Sequence, residues 1–453
     1  MHLKKREQFR SRLGVILAIA SSAVGLGNVW RFPYIAGSNG GALFIVLYIL
    51  CLLFIGLPIL MTELSIGRGA HKSLGHAMDD LQPAGSKWHY FKYFIVLGAI
   101  LICGYYPVII GWVIYYFVGL FDGFLLDPSK TSKEVFSDFV TNKPADALLC
   151  TYVAVFFCAA CSWLGIKKGI ERTTKPMMIL LLLFLVLLCG YAISLPNAEK
   201  GLEKFFVPEL TDLSLSKIGS ILHAALGQVF FTLGCGVGII MAYASYMGKK
   251  KTIVSESLIV CGIDTFVAIL AGVMIFAACY SQGIGVDAGV SLVFQSMVEI
   301  FKHMPMGQFF GVSFFFLLFI AAITSIISVF ESVVSFGIDC FNISRKKSVL
   351  YVSIINVVIT VPAVYSFSTF SNVSFFGQDI ITFEDFVSSN IFMVLGSLLF
   401  AVFCYSRYGW GINNYMAEIN EGHGVKLPNF FRNYLRYVIP IFILIVFVTG
   451  IMS

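Results

Sequence analysis

Two clusters of glycine interrupt apolar runs of this chain. They read AVGLGNVWRFP from Ala23 to Pro33 and FFTLGCGVG from Phe230 to Gly238. Glycine costs a helix about 1 kcal/mol relative to Ala, so a cluster of them favours unwinding. At membrane depth, unwound backbone is tolerated only where it is buried in protein or lines a cavity. Close helix packing through small residues would also use glycine. It does not explain why Asn28, Arg31 and Pro33 follow the first cluster at once, so a broken helix is the better reading. Acidic residues also lie within apolar runs, among them Glu63, Asp264 and Glu331. Asp264 stands a dozen residues into its run, about 18 Å along a helix and so near mid-bilayer. An ionisable group there is costly and is functional by default. The alternative is a neutral Asp bonded within a helical bundle.

The elements that must position these residues follow from composition. The chain has 453 residues, 58% hydrophobic and 12% charged, against roughly 25% charged in soluble domains. Eleven apolar runs suit helices crossing a bilayer: 13–37, 41–67, 90–121, 147–166, 176–195, 217–246, 252–280, 308–341, 348–367, 388–407 and 433–452. None shows the alternation of a membrane barrel, and the first run lacks the features of a cleaved signal peptide. The fold class is therefore an all-α membrane protein. The eleven cysteines read as small buried apolar residues rather than disulfides or metal ligands. No nucleophile–base constellation suggests an enzyme. The net charge of +6 gathers beside the apolar runs, not on a nucleic-acid-binding surface.

Lys and Arg set the expected orientation. Lys4, Lys5, Arg6, Arg10 and Arg12 precede the first run. Lys167, Lys168, Arg172 and Lys175 lie between the fourth and fifth, Lys249 to Lys251 between the sixth and seventh, and Arg345 to Lys347 between the eighth and ninth. These ends are expected to be cytoplasmic, with the N-terminus inside and the C-terminus outside. The opposite loops carry Asp122, Asp127, Glu199, Glu203, Asp287, Asp379 and Asp385.

The run RLGVILAIASSAVGLGNVWRFPYIAGSNGG from Arg12 to Gly41 closely resembles the signature of the neurotransmitter:sodium symporter family. PILMTELSIGR from Pro58, GYY from Gly104, QVFFTLGCGVGIIMAYASY from Gln228 and AAITSIISVFES from Ala321 extend the resemblance over nearly the whole chain. It implies a LeuT-type fold of five plus five spans in inverted repeat, with spans one and six broken and alternating access around a midplane site. Residues 13–195 would form the first repeat, 217–407 the second and 433–452 an extra span, all in one transporter domain. The implied setting is a bacterial inner membrane, as a monomer or weak dimer in lipid. Two sodium ions are expected, and no organic cofactor.

Sodium takes hard oxygen ligands, which unwound backbone supplies as carbonyls. By resemblance, one ion meets the Ala23 carbonyl, Asn28, Thr232, Asp264 and the substrate carboxylate. The other meets carbonyls of Ser21, Val24 and Ala321 and the hydroxyls of Thr324 and Ser325. Thr324 and Ser325 could instead bond back to their own helix. The family often has Asn at position 264. Its chloride-independent members carry a carboxylate close to this spot, so transport independent of chloride is expected.

Aminergic members place an Asp where this chain has Gly25, so the substrate should bring its own carboxylate, as an α-amino acid does. That group would lie against the Leu26 and Gly27 amides and the Tyr106 hydroxyl. The amino group would meet carbonyls near Ala23, Phe231 and Thr232, with Ser325 nearby. Ile102, Tyr106, Phe231, Gly234, Val237, Ile326 and Val329 would line an apolar side-chain pocket, in which a charged side chain lies unpaired. Gly234 and Val237 are smaller than family counterparts, so aromatic and large hydrophobic amino acids are expected. Arg31 and Asp385 would form the outer gate, and Arg6, Phe9, Ser245, Tyr246 and Asp339 the inner one, with Arg6–Asp339 as its ion pair. Glu63 matches a family Glu that satisfies unwound backbone, while Glu331 replaces a Gln. Proton coupling, or a transport-inactive amino-acid sensor on the same scaffold, are the competing readings.

Overall fold

The computed structural model describes residues 9–208, 214–286 and 291–452. It is helical throughout, and the pairing between extended segments among these residues is limited to isolated bridges. The first crossing is a bent pair, α1 (Arg12–Ala23) and α2 (Gly27–Ser38), whose axes differ by 54°. Long apolar helices follow: α3 (Ala42–Ala70), α4 (Trp88–Phe121), α5 (Pro144–Trp163) and α6 (Ile166–Ile193). The sixth run becomes α7 (Leu215–Leu233) and α8 (Ile239–Ala244), parted by Gly234 to Gly238. The rest are α9 (Ile253–Ser281), α10 (Gly307–Phe341), α11 (Arg345–Phe367), α12 (Ile380–Tyr405) and α13 (Phe431–Ile451).

Side-chain oxygens placed just ahead of the helices set several starts. Ser11, Ser214, Thr252, Ser344 and Asp379 each accept a bond from an amide in the first turn, satisfying donors with no intrahelical partner. The Asp379 cap starts α12 eight residues before the expected 388, so Asp385 lies on the helix and not in the loop before it. Similarly, α6 begins at Ile166, not 176: Pro176 is inside the helix, and Lys167, Lys168, Arg172 and Lys175 ride on its first turns. An apolar run marks the lipid-facing length of a helix, and polar turns extend it beyond that length.

Packing separates the crossings into two groups. The pair α1–α2, α3, the pair α7–α8 and α9 pack on one another, and α4, α5, α10 and α11 form a second set. Their shared face is lined chiefly by α1 and α8 against α10. All eleven thiols are free, including Cys158 and Cys161, which have C-x-x-C spacing on α5.

The break between α7 and α8 needs its glycines. Gly234, Gly236 and Gly238 have φ of +60°, +94° and +78°. A Cβ on Gly236 would lie 1.9 Å from the Met393 carbonyl oxygen on α12. Glu63 of α3, fully buried, holds this segment: its Oε2 accepts the Gly236 amide at 2.8 Å, and its Oε1 accepts those of Ile240 and Met241 at 3.1 and 3.3 Å. Gly236→Ala should therefore cost about 3 kcal/mol or more through strain and overlap. A lowered thermal midpoint in detergent checks this.

Candidate functional site

Where the two broken helices meet, α9 contributes Asp264, which has no exposed surface. Asn28 donates its Nδ2 to Asp264 Oδ1 at 2.7 Å and to the Asp264 carbonyl at 3.1 Å. Thr232 donates to Oδ1 at 3.0 Å, and the Tyr48 hydroxyl donates to Oδ2 at 3.1 Å. No Lys, Arg or His pairs with this carboxylate among the described residues. A buried carboxylate bound only to neutral donors lacks a countercharge. Asn28 Oδ1 accepts the Gly25 amide at 2.9 Å, which fixes the first turn of the break. So Asn28, Thr232 and Asp264, far apart in sequence, converge as expected. Tyr48 was not anticipated. Its signal is a tyrosine inside an apolar run, whose hydroxyl needs a partner once buried.

A second oxygen cluster lies where α1 meets α10. Ser325 Oγ lies 3.2 Å from the Ser21 carbonyl oxygen and 3.1 Å from that of Val24, donating to both. Thr324 Oγ1 bonds back to the Ile320 and Ala321 carbonyls of its own helix at 2.9 and 3.2 Å. The structure thus joins Ser21, Val24 and Ser325 directly. It brings the Thr324 hydroxyl to the Ala321 carbonyl.

Between these clusters is a cavity lined by Ala23, Gly25, Gly27, Ile102, Tyr106, Phe231, Thr232, Gly234, Ser325 and Val329, all expected there. Ser22, Tyr105, Ile239 and Met393 also line it. Leu26, Val237 and Ile326 do not. Val237 is fully buried, with its Cγ1 close to Gly98 of α4, because the reversed backbone at Gly236 and Gly238 turns it away. Ile239 and Met393 stand on the wall instead. Tyr106 accepts the Leu26 amide at 3.5 Å. A Cβ on Gly25 would come 2.7 Å from Ser325 Oγ and 3.2 Å from the Tyr106 hydroxyl, so this position has no room for a side chain. A Cβ on Gly234 would meet nothing nearer than 3.9 Å, so that side of the cavity is open.

On the outer side, Arg31 donates to Gln228 Oε1 at 2.9 Å, and its guanidinium lies 4.3 Å from the Phe231 ring centre. Gln228 in turn donates to the Gly27 carbonyl at 3.0 Å. Asp385 accepts the Tyr105 hydroxyl at 2.7 Å and that of Ser389 at 3.2 Å, and makes no direct ion pair with Arg31. Gln228 is a missed partner; an amide deep in an apolar run was its signal. On the inner side, Phe9 packs edge-on against Tyr243 and Tyr246 at 5.9 and 6.2 Å. Asp339 accepts the Ser73 amide and hydroxyl at 2.8 and 2.5 Å. Ser245 donates to the Ala242 carbonyl of its own helix at 2.5 Å. Arg6 lies outside the described residues. Glu331, without an obvious role in the sequence, is fully buried and ion-paired at 2.8 Å with Arg345. Tyr246 donates to it at 3.2 Å, tying the segment after α8, together with α11, to α10.

A family model described as the sodium:neurotransmitter symporter family matches residues 6–138 and 137–453. The chain belongs to the sodium:neurotransmitter symporter family. It is 32% identical over 461 residues, covering 99% of both chains, to an uncharacterized sodium-dependent transporter of Haemophilus influenzae. It is 31% identical over the full length of both chains to the Bacillus subtilis protein named uncharacterized sodium-dependent transporter YhdH. Among solved structures it resembles MhsT in complex with L-phenylalanine, at 34% identity and TM-score 0.88, over 98% of this chain and all of that one. The symporter is therefore an integral membrane, sodium-dependent transporter with the LeuT-type fold, and not an enzyme.

The Glu331–Arg345 pair is open to a direct test. Arg345→Met leaves a buried carboxylate uncompensated and should destabilise the transporter by about 3–5 kcal/mol. Adding Glu331→Gln should recover part of that loss. Thermal denaturation of the single and double variants measures both.

Proposed function

We propose that the symporter couples sodium to the inward transport of aromatic and large hydrophobic L-amino acids, without chloride, by alternating access. The observation that carries this is the fully buried Asp264 carboxylate, held by the neutral donors Asn28 and Thr232 beside the two helix breaks, with no Lys, Arg or His partner among the described residues. Sodium supplies the missing countercharge, with Asn28, Thr232 and Asp264 as oxygen donors and the Ala23 carbonyl and substrate carboxylate completing the shell. A second ion sits at the carbonyls of Ser21, Val24 and Ala321 with Thr324 and Ser325. Because Asp264 is a fixed negative charge beside the ion, a mobile chloride has nothing left to neutralise.

The cavity supports the substrate class. Gly25 leaves no side chain to pair with an amine, so the ligand's carboxylate meets the amides of the first break, where unsatisfied donors and the helix dipole favour an anion. The side-chain region is apolar, bounded by Ile102, Phe231, Ile239, Val329 and Met393, and open at Gly234. A charged side chain would be buried there unpaired. MhsT, whose structure holds L-phenylalanine, is in keeping with this class. The two ends of the substrate path are the Arg31–Asp385 region outside and Phe9, Tyr246, Asp339 and Arg6 inside, with the N-terminus in the cytoplasm of a bacterial cell. Residues 13–195 and 217–407 act as the two repeats.

Uptake of labelled tyrosine, tryptophan and leucine into proteoliposomes, with sodium and chloride replaced independently and with or without a pH gradient, tests the proposal. Uptake should need sodium, ignore chloride, and be blocked by tyrosine or tryptophan far better than by glycine or alanine. Uptake driven by protons alone, or binding without uptake, would refute it. Asp264→Asn removes the fixed charge. It should cut uptake at least tenfold in gluconate buffer and restore a substantial part of it on adding chloride.

A further inference from the structure

The N-terminal turn of α1 is closed by a carboxylate from another helix. Glu171, in the first turns of α6 and buried, accepts the Arg10 amide on Oε2 at 2.7 Å. Its Oε1 accepts the Ser11 amide at 3.2 Å and the Ser11 hydroxyl at 3.0 Å. Ser11 Oγ in turn accepts the Gly14 amide at 3.0 Å, so the cap and the carboxylate form one chain of bonds. Gly14 makes this approach possible: a Cβ there would lie 2.1 Å from Glu171 Oε1. On its other flank, Arg12 pairs with Glu256 of α9 at 2.9 Å. Since α9 packs with α1 in the same group of helices, that bond can travel with α1. The bonds to Glu171 tie α1 to α6, which packs both on α9 of the first group and on α10 of the second.

The opposite end of α1 carries the Ser21 and Val24 carbonyls that meet Ser325. The two attachments lie at opposite ends of the twelve-residue helix. We infer that Glu171 is a positioning residue for transport, a latch that holds α1 against α6 and keeps the inner path shut until its three donors are released together. This rests on the alternating-access reading above. Glu171 touches neither ion nor substrate; it acts through the place of α1. A carboxylate suits a reversible latch. It binds the unsatisfied amides of a helix start strongly because it is charged, and once released at the end of the helix it can be hydrated.

The test uses the full-length transporter in proteoliposomes, with Cys150 and Cys340 changed to Ser and Ser332→Cys as reporter. Position 332 is buried on α10 against Gly238, beneath the cavity. In sodium-free buffer, Glu171→Gln, which keeps size but loses charge, should raise the maleimide labelling rate at 332 at least fivefold. Saturating sodium with tyrosine should return it to the parental rate. Gly14→Ala, whose Cβ displaces the carboxylate, should do the same. Added to Glu171→Ala it should change nothing further, because the group it collides with is gone. Labelling at the parental rate in a monodisperse Glu171→Gln protein overturns the inference, as does a Gly14→Ala effect that adds fully to Glu171→Ala. If the parental rate is itself indifferent to sodium, the alternating-access reading falls and this inference with it.

Discussion

Lipid offers no hydrogen bonds, so each backbone group released by a helix break inside the membrane must find a partner within the protein. The rest of the structure depends on that constraint. The break between α7 and α8 is stable because the Glu63 carboxylate, carried by α3, accepts three of its amides. The break after α1 is stable because Asn28 folds back on Gly25 and Ser325 reaches the Ser21 and Val24 carbonyls. Glu63 and Ser325, and Asp264 of α9, which holds Asn28, come from helices that must then stay in register with the breaks. The breaks therefore fix the placement of α3, α9 and α10 as well as opening a cavity.

Two buried carboxylates in this framework have different consequences. Glu331 has Arg345 and the Tyr246 hydroxyl, so its charge is compensated by the protein itself. Asp264 has only neutral donors, three side chains that orient it without cancelling its charge. The first arrangement ties helices together. The second leaves a buried charge bound only by neutral donors, and that missing countercharge is what the proposed sodium ion would supply. Glu171 is a third case, a carboxylate near the end of a helix that closes the start of α1.

The sequence by itself determined the family and fold class of the protein. Membrane helices follow from apolar length and scarce charge, and the breaks from glycines where a helix cannot use them. Asp264 was legible because an ionisable group in an apolar run is costly and needs a reason; Asn28, Thr232 and Ser325 were singled out through the resemblance to the symporter family. Tertiary structure alone decided which groups meet. Tyr48, Gln228 and Arg345 are ordinary residues until folding sets them against Asp264, Arg31 and Glu331, over separations of up to 216 residues. The backbone reversal at Gly236 and Gly238 turned Val237 out of the cavity and brought Ile239 and Met393 to its wall, because side-chain direction depends on dihedrals that no periodicity reports. The latch on α1 was equally hidden: Gly14 and Glu171 have meaning only as a pair, and their contact exists only once α1 lies against α6.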